Sequence, residues 1–331
     1  MVEGLYDSTT HLFNYLTKVE EISISGRNYE TSNYQVLIMD FDLSMLFIQF
    51  ISGLSRAMVL FLMASGLTIV FGVMRVINFA HGAFYMLGAY LAFTLTQILT
   101  GSLGFWATLL IVPAMVCVVG GLVEISLLRR IYDKEHLLQI LLTYALIFVF
   151  NDAVKMIWGV DLRIVNLPKS LAGFITISGH RFPVYYFFII LVGLIVAVLL
   201  WLLLKKTTFG KLLRASAEHR EMVDLLGYNV GWLFTLVFLM ATWLGGLAGA
   251  VIAPTIRLSL GMDMEIIIEC FIVVIVGGLG NIWGALLGAL ITGQIYAFGI
   301  LVLPNYAMAF LFILAAIIIL FRPYGLLGKE A

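Results

Sequence analysis

Three groups of residues in this 331-residue chain have the types and spacing to act on a solute. Asp263, Glu265 and Glu269 open an apolar run, and the four-residue step from Glu265 to Glu269 puts both on one helix face. Two readings stay open: carboxylates solvated at a membrane interface, or Glu269 facing a translocation pathway and favouring a solute with an amino group. Asn78, His81 and Gly82 lie in Ile77-Asn-Phe-Ala-His-Gly82, and Gly277, Gly278, Gly280 and Asn281 in Val276-Gly-Gly-Leu-Gly-Asn281. Each group concentrates polar or flexible residues at one point of an apolar stretch. Interrupted membrane helices free backbone groups and aim helix ends at a solute. A lone histidine in such a stretch is more often hydrogen-bonded structure than a solute contact, and that is the favoured reading of His81.

The chemistry on offer is binding and passage rather than catalysis. Neither His-Glu-x-x-His nor Gly-x-Ser-x-Gly occurs, and Gly210-Lys211 lacks the rest of a nucleotide-binding loop. A voltage-gated channel is disfavoured too, with no filter sequence and no regular Arg-rich span. The chain is therefore expected not to be an enzyme, and any ATP hydrolysis must belong to another subunit. Cys117 and Cys270 sit in apolar runs and read as small buried hydrophobes rather than a disulfide or metal site.

These residues must be held by elements in a membrane. Apolar residues make up 62% and charged residues 11% of the chain, against about 25% charged in soluble domains. Ten-residue alternating segments of a barrel are missing, so the fold class is all-α and polytopic, with eight or nine transmembrane helices, some broken. The spans are expected at 44–73, 79–99, 105–128, 137–159, 184–204, 229–253, 265–280, 284–303 and 306–321, after a polar extension over 1–42. The first, thirty residues long, either tilts or breaks near Ser52-Gly53. Lys and Arg cluster at 129–134 and 205–220, which two intervening spans place on one side, taken as cytoplasmic. The loop 160–183 then lies outside. Asn78 and His81 fall near the cytoplasmic ends of their flanking spans unless the first span breaks. Glu124 is set to pair with Arg129 or Arg130, and Asp152 to lie at the outer surface. Gly280, Gly284 and Gly288, and again Gly245 and Gly249, recur every four residues and suit close helix packing in lipid.

One segment departs from the apolar pattern. Lys211–Gly227 reads as a single amphipathic helix, with Leu212, Leu213, Ala217, Met222, Leu225 and Leu226 as apolar anchors and Gly227 as its stop. Arg214, Glu218, Arg220 and Asp224 stand between them. It is either a solvated connector with Arg214–Glu218 and Arg220–Asp224 pairs, or a helix presented to a groove on a cytoplasmic partner.

The segments at 77–89 and 277–289 show weak similarity to one another, which suggests an internal pseudo-repeat: His81 matches Asn281, and Gly88-Ala89 matches Gly288-Ala289. Five motifs occur in order: Ile77-Asn-Phe-Ala-His-Gly82, Arg214-Ala-Ser-Ala-Glu218 with Leu225-Leu-Gly227, Leu244-Gly-Gly-Leu-Ala-Gly249, Val276-Gly-Gly-Leu-Gly-Asn281 and Arg322-Pro-Tyr-Gly-Leu-Leu-Gly328. Together, across about residues 45–328, they resemble the shorter permease type of the high-affinity branched-chain amino acid ABC importers. Related permeases serve urea and short amides. Glu265, Glu269 and the length of the N-terminal extension fall outside the family pattern.

The resemblance implies a permease domain over 43–328 in a bacterial or archaeal cytoplasmic membrane. It implies a homologous second permease subunit forming a heterodimer, two cytoplasmic ATPase subunits that carry ATP and Mg, and an extracytoplasmic solute-binding protein. This chain would hold no cofactor or metal and bind no nucleic acid. Residues 212–227 would seat on the ATPase through Arg214, Ala217, Glu218, Met222, Leu225, Leu226 and Gly227, while Asn78, His81, Gly82, Gly277, Gly278, Gly280, Asn281 and Glu269 would line the pathway. The alternative is a self-contained secondary transporter or channel, in which 212–227 is merely a loop.

Overall fold

A computed structural model describes residues 43–99, 102–132, 134–177 and 180–328; the polar extension 1–42 lies outside them. The chain divides into two units, Met1–Leu46 and Phe47–Ala331. Of the first only 43–46 are described; the second holds the helical bundle.

Helix α1 runs Leu43–Met74, α2 His81–Ile98, α3 Ser102–Ser126 and α4 His136–Trp158. A hairpin of β1 (Phe174–Ile177) and β2 (His180–Pro183) precedes α5, Tyr185–Lys206. Two short helices follow, α6 (Thr208–Glu218) and α7 (Arg220–Leu225), then α8 (Val230–Ile252). The chain closes with α9 (Met262–Gly277), α10 (Ile282–Val302) and α11 (Ala307–Phe321). All nine expected spans are helices. Seven of them (α1, α3, α4, α5, α8, α10 and α11) are long and apolar enough to cross a membrane. The other two, α2 and α9, lie largely inside the bundle, α2 with Thr and Gln residues and α9 with three carboxylates.

The first span is continuous through Ser52-Gly53. Gly53 serves close approach instead: a Cβ on Gly293 of α10 would sit 2.7 Å from the Gly53 carbonyl oxygen. The chain breaks after Met74, where Arg75 takes a left-handed φ of 55°. Residues 75–80 then turn back into the bundle without helical structure. His81 Nε2 contacts the Met63 carbonyl at 3.1 Å, eleven residues before Met74 and so about 16 Å along α1. Helix α2 thus starts deep in the bundle. Asn78 and His81 are buried well away from the helix ends where an unbroken first span was expected to leave them.

Both basic connections do lie at one end. Val223, Val230 and Phe234 pack with Tyr132, Leu212, Val73 and Met74, joining the ends of α1, α3, α6, α7 and α8. The connection from α4 to α5 is at the other end and is more ordered than a loop. Phe174-Ile-Thr-Ile177 pairs antiparallel with His180–Pro183, and Arg163 exchanges two backbone hydrogen bonds with Leu258.

Glycine lets the central helices touch backbone to backbone. A Cβ on Gly249 of α8 would stand 2.1 Å from the Tyr85 carbonyl oxygen of α2, and one on Gly88 2.6 Å from that of Gly246. Such close approach replaces the hydrophobic drive that is missing between helices in lipid. Gly249→Val is therefore expected to destabilise the purified protein by at least the roughly 1–3 kcal/mol typical of overpacking. Gly173→Ala, whose Cβ would meet only Val184 at 3.5 Å, should change little. Equal thermal unfolding midpoints for the two variants would contradict the α2–α8 contact.

Candidate functional site

The break between α9 and α10 is built from glycine and tied by the chain's tail. Gly278 (φ 105°) and Gly280 (φ 79°) adopt left-handed conformations that side chains disfavour. Ending α9 here frees carbonyls. Leu326 N–H donates to Val276 O at 2.9 Å and Leu327 N–H to Gly277 O at 3.0 Å. Asn281 starts α10, its Oδ1 accepting from Trp283 N (3.0 Å) and Gly284 N (3.3 Å) while its Nδ2 donates to Leu327 O (2.8 Å). The motif 322–328 is thus a strap that holds the break.

A cavity of about 680 Å³ opens beside this break at the basic end. Thr68 and Gly72 of α1, Trp201 and Lys205 of α5, and Gly280, Asn281 and Trp283 form much of its wall. Arg214, Ala217 and Glu218 of α6 complete it. Helix α6 is anchored to α5: Thr207 Oγ1 accepts from Gly210 N at 3.2 Å, and Arg214 donates to the Leu204 carbonyl. The expected single helix over 211–227 is instead two, parted at His219 (φ −139°, ψ 79°). The split lets each half meet a different neighbour. Leu213 of α6 joins the main core, whereas Val223 of α7 packs under Val230 and Phe234 of α8. Arg214 donates to Leu204 rather than to Glu218, and the Arg220 guanidinium stacks 4.9 Å from the Phe234 ring. Met222, Leu225 and Leu226 do not anchor the helix; they are 59%, 87% and 71% exposed. Gly227 ends the segment at φ 86°.

A second cavity, about 300 Å³, lies toward the opposite end. The two share three helices. On α1, Leu60 borders this cavity and Phe61 the other; on α5 the corresponding residues are Ile189 and Ala197, and on α10 Tyr296 and Leu286. Arg56 and Glu269 meet in the wall of the second cavity at 2.5 Å, and the Arg56 guanidinium lies 3.5 Å from the centre of the Tyr296 ring. The three carboxylates are therefore not all solvated at an interface. Glu269 is buried against Arg56, Asp263 is buried and accepts from Asn151 Nδ2 at 2.6 Å, and only Glu265 is exposed. A lone carboxylate inside a membrane protein is costly, so each buried one takes a partner. Motif spacing did not single out Arg56, although an arginine within a thirty-residue apolar run is itself the signal that finds it.

The other expected pathway residues sit elsewhere. His81 is fully buried against the Met63 carbonyl, Asn78 is buried, and a Cβ on Gly82 would stand 2.3 Å from the Asp263 carbonyl oxygen. Gly277 meets the Gly284 backbone in the same manner. None of Asn78, His81, Gly82, Gly277 and Gly278 lines either cavity, whereas Gly280 and Asn281 border the first and Glu269 the second. Behind α7, Glu124 is fully buried and accepts from Tyr132 (2.9 Å) and Thr235 (2.9 Å) and from Arg129 Nε at 3.4 Å. Burial first, and then the Glu124 carboxylate, push the Tyr132 phenol above its ordinary range, so it remains a hydrogen-bond donor. This cluster ties α3 to α8.

A polytopic helical bundle with hollows near both ends of one helical seam has the architecture of a solute permease. The chain belongs to the family of branched-chain amino acid transport system permease components, which it matches over residues 49–321. It is similar to the high-affinity branched-chain amino acid transport system permease protein BraD of Pseudomonas aeruginosa, at 28% identity over 85% of this chain and 95% of the relative. The corresponding Escherichia coli protein, LivH, is 28% identical over 85% of this chain and 95% of its own length. The probable branched-chain amino acid transport permease protein LivH of Methanocaldococcus jannaschii is 29% identical over 82% and 89%. No solved structure matches the chain. With its lipid-length helices, this family member is a multi-pass protein of the cytoplasmic membrane.

The break makes a separable prediction. Asn281→Ala should cost about 1 kcal/mol through loss of the helix cap. Asn281→Asp should recover most of that but not the bond to Leu327 O, because a carboxylate cannot donate. Denaturant unfolding of the purified variants checks the order; Asp as damaging as Ala would remove the capping role.

Proposed function

We propose that this chain is one of two permease subunits in an ATP-driven importer of branched-chain amino acids, with Met222, Leu225 and Leu226 docking on a cytoplasmic ATPase. The observation that carries this reading is the double use of the helix pair. Helix α6 walls the cavity at the basic end, while α7, next to it, offers an exposed apolar triad. A partner that grips α7 can act on that cavity without any relay. Arg220 and Val223 against Phe234, and then the Glu124 cluster, would carry the same displacement to α8 and α3.

The names of the relatives support the solute class. In this reading a second, homologous permease completes the pathway and a binding protein delivers the solute to the cavity holding Glu269. ATP and Mg act on the ATPase subunits, and this chain is not an enzyme. The domain responsible is 43–328, with Gly280 and Asn281 bordering the inner part of the route and Asn78, His81 and Gly82 bracing it from behind. What the chain contributes is a coupling free energy, which needs different contacts in two states.

Replacing Met222, Leu225 and Leu226 together by serine removes side chains worth about 1.5–3 kcal/mol each when fully buried. Because these positions are exposed, the fold should survive. Co-purification with the ATPase subunits should be lost, and ATP-driven leucine uptake into proteoliposomes should fall at least tenfold. Leucine uptake by vesicles that lack any ATPase would instead establish the secondary-transporter alternative.

A further inference from the structure

We propose that the Arg56–Glu269 pair is a head-group subsite that receives an α-amino acid as its zwitterion. The carboxylate would lie against Arg56 and the ammonium against Glu269, with the aliphatic side chain on the apolar wall beyond. The inference rests on the permease reading above and adds to it the residues that would recognise the solute.

Four observations carry it. First, the pair is set in a cavity wall rather than sealed in the core. The Glu269 side chain is only 5% exposed, but Arg56 retains 34% beside a hollow of about 300 Å³, at the small end of the size range of small-molecule sites. Second, each partner keeps hydrogen-bonding capacity unused. Glu269 Oε2 and Arg56 Nε are buried without a hydrogen-bond partner among the described residues. Third, the guanidinium is clamped. Tyr296 lies 3.5 Å beneath it, a cation–π contact that favours this position when a ligand competes for Glu269. Fourth, among neutral polar groups such as Ser52, Ser55 and Thr255, the wall offers both an apolar portion and a further carboxylate. Leu60, Ile189, Ile252 and Ile266 are apolar, whereas the exposed carboxylate of Glu265 adds negative charge for an ammonium.

Stability alone does not account for such a pair, because a buried ion pair roughly breaks even against well-packed apolar residues. A zwitterion complements it. Each new charge meets its opposite, the ammonium against the Glu269 carboxylate and the solute carboxylate against the exposed part of the Arg56 guanidinium. A solute lacking either end would leave one of the two protein charges uncompensated on entry. That is a device for specificity by rejection.

The test uses the complete importer, permeases with ATPases, in lipid nanodiscs without binding protein, and reads radiolabelled leucine binding. Leucine should bind saturably and be displaced by valine and isoleucine. Isovalerate, which lacks the amino group, and isopentylamine, which lacks the carboxylate, should not displace it at tenfold higher concentration. Arg56→Gln and Glu269→Gln should each weaken binding at least tenfold, with assembly verified by co-purification. Displacement by either analogue as well as by valine would overturn the proposal, as would unchanged leucine binding in both variants. The wild-type analogue series decides the matter even if a variant fails to assemble. Failure of the underlying reading looks different: leucine uptake independent of ATP removes the importer, whereas ATP-driven uptake of urea or an amide, without leucine binding, removes only the zwitterion subsite.

Discussion

Every backbone carbonyl inside hydrocarbon must find a donor, and in this protein that requirement governs how the chain is allowed to stop being helical. The helices break at the basic end at two places, after Met74 and after Gly277, and both are repaired by other chain segments. Residues 75–80 run between helices, where Thr143 on α4 reaches the Ile77 carbonyl. The end of α9 is laced by Leu326 and Leu327 from the tail. With these repairs in place, α2 can begin deep in the bundle and α10 can begin beside a cavity. Without them, neither the inner hollow nor the position of Asn281 would be stable in lipid.

Charge obeys the same rule of compensation. Glu124, Asp263 and Glu269 are the buried carboxylates among the described residues, and each is matched by groups from another helix. The matches differ in kind. Glu124 is enclosed by three donors and acts as a rivet between α3 and α8. Glu269 is only half satisfied, in a cavity, beside a cation held by an aromatic ring. A saturated network rigidifies, whereas an unsaturated one remains open to exchange with a ligand. Glu124 and Glu269 therefore differ in environment although both are buried, Glu124 in an enclosed cluster and Glu269 in a cavity wall.

The two cavities follow from one seam. Helices α1, α5 and α10 each contribute to both, and Leu60 and Phe61, adjacent on α1, fall on opposite sides of the division. A small relative motion of these three helices therefore changes both openings at once. Helix α6 is bonded to the end of α5 and borders the first of these openings. Glycine contacts elsewhere, such as Gly249 against Tyr85, hold α2 and α8 as a body against which the seam can move.

Much was legible in the residue order. Apolar length set the helices, and the nine spans were placed within a few residues, because a lipid solvent imposes a strict length and hydropathy on anything that crosses it. The pairing of Glu124 with Arg129 also followed from local spacing. The depth of Asn78 and His81 did not, since it depends on a chain reversal at Arg75 that no periodicity marks. Nor did the partner of Glu269, which is 213 positions away at Arg56, or the hairpin at 174–183. The segment 211–227 had the right composition for docking, but its split at His219 and the outward turn of Met222, Leu225 and Leu226 came from competition between two neighbouring cores. The sequence by itself determined that this is a helical membrane permease and which segments are helical, because those depend on each segment's own composition. Only the tertiary structure decided which charges meet and where the hollows lie, because those depend on contacts between segments far apart in the chain.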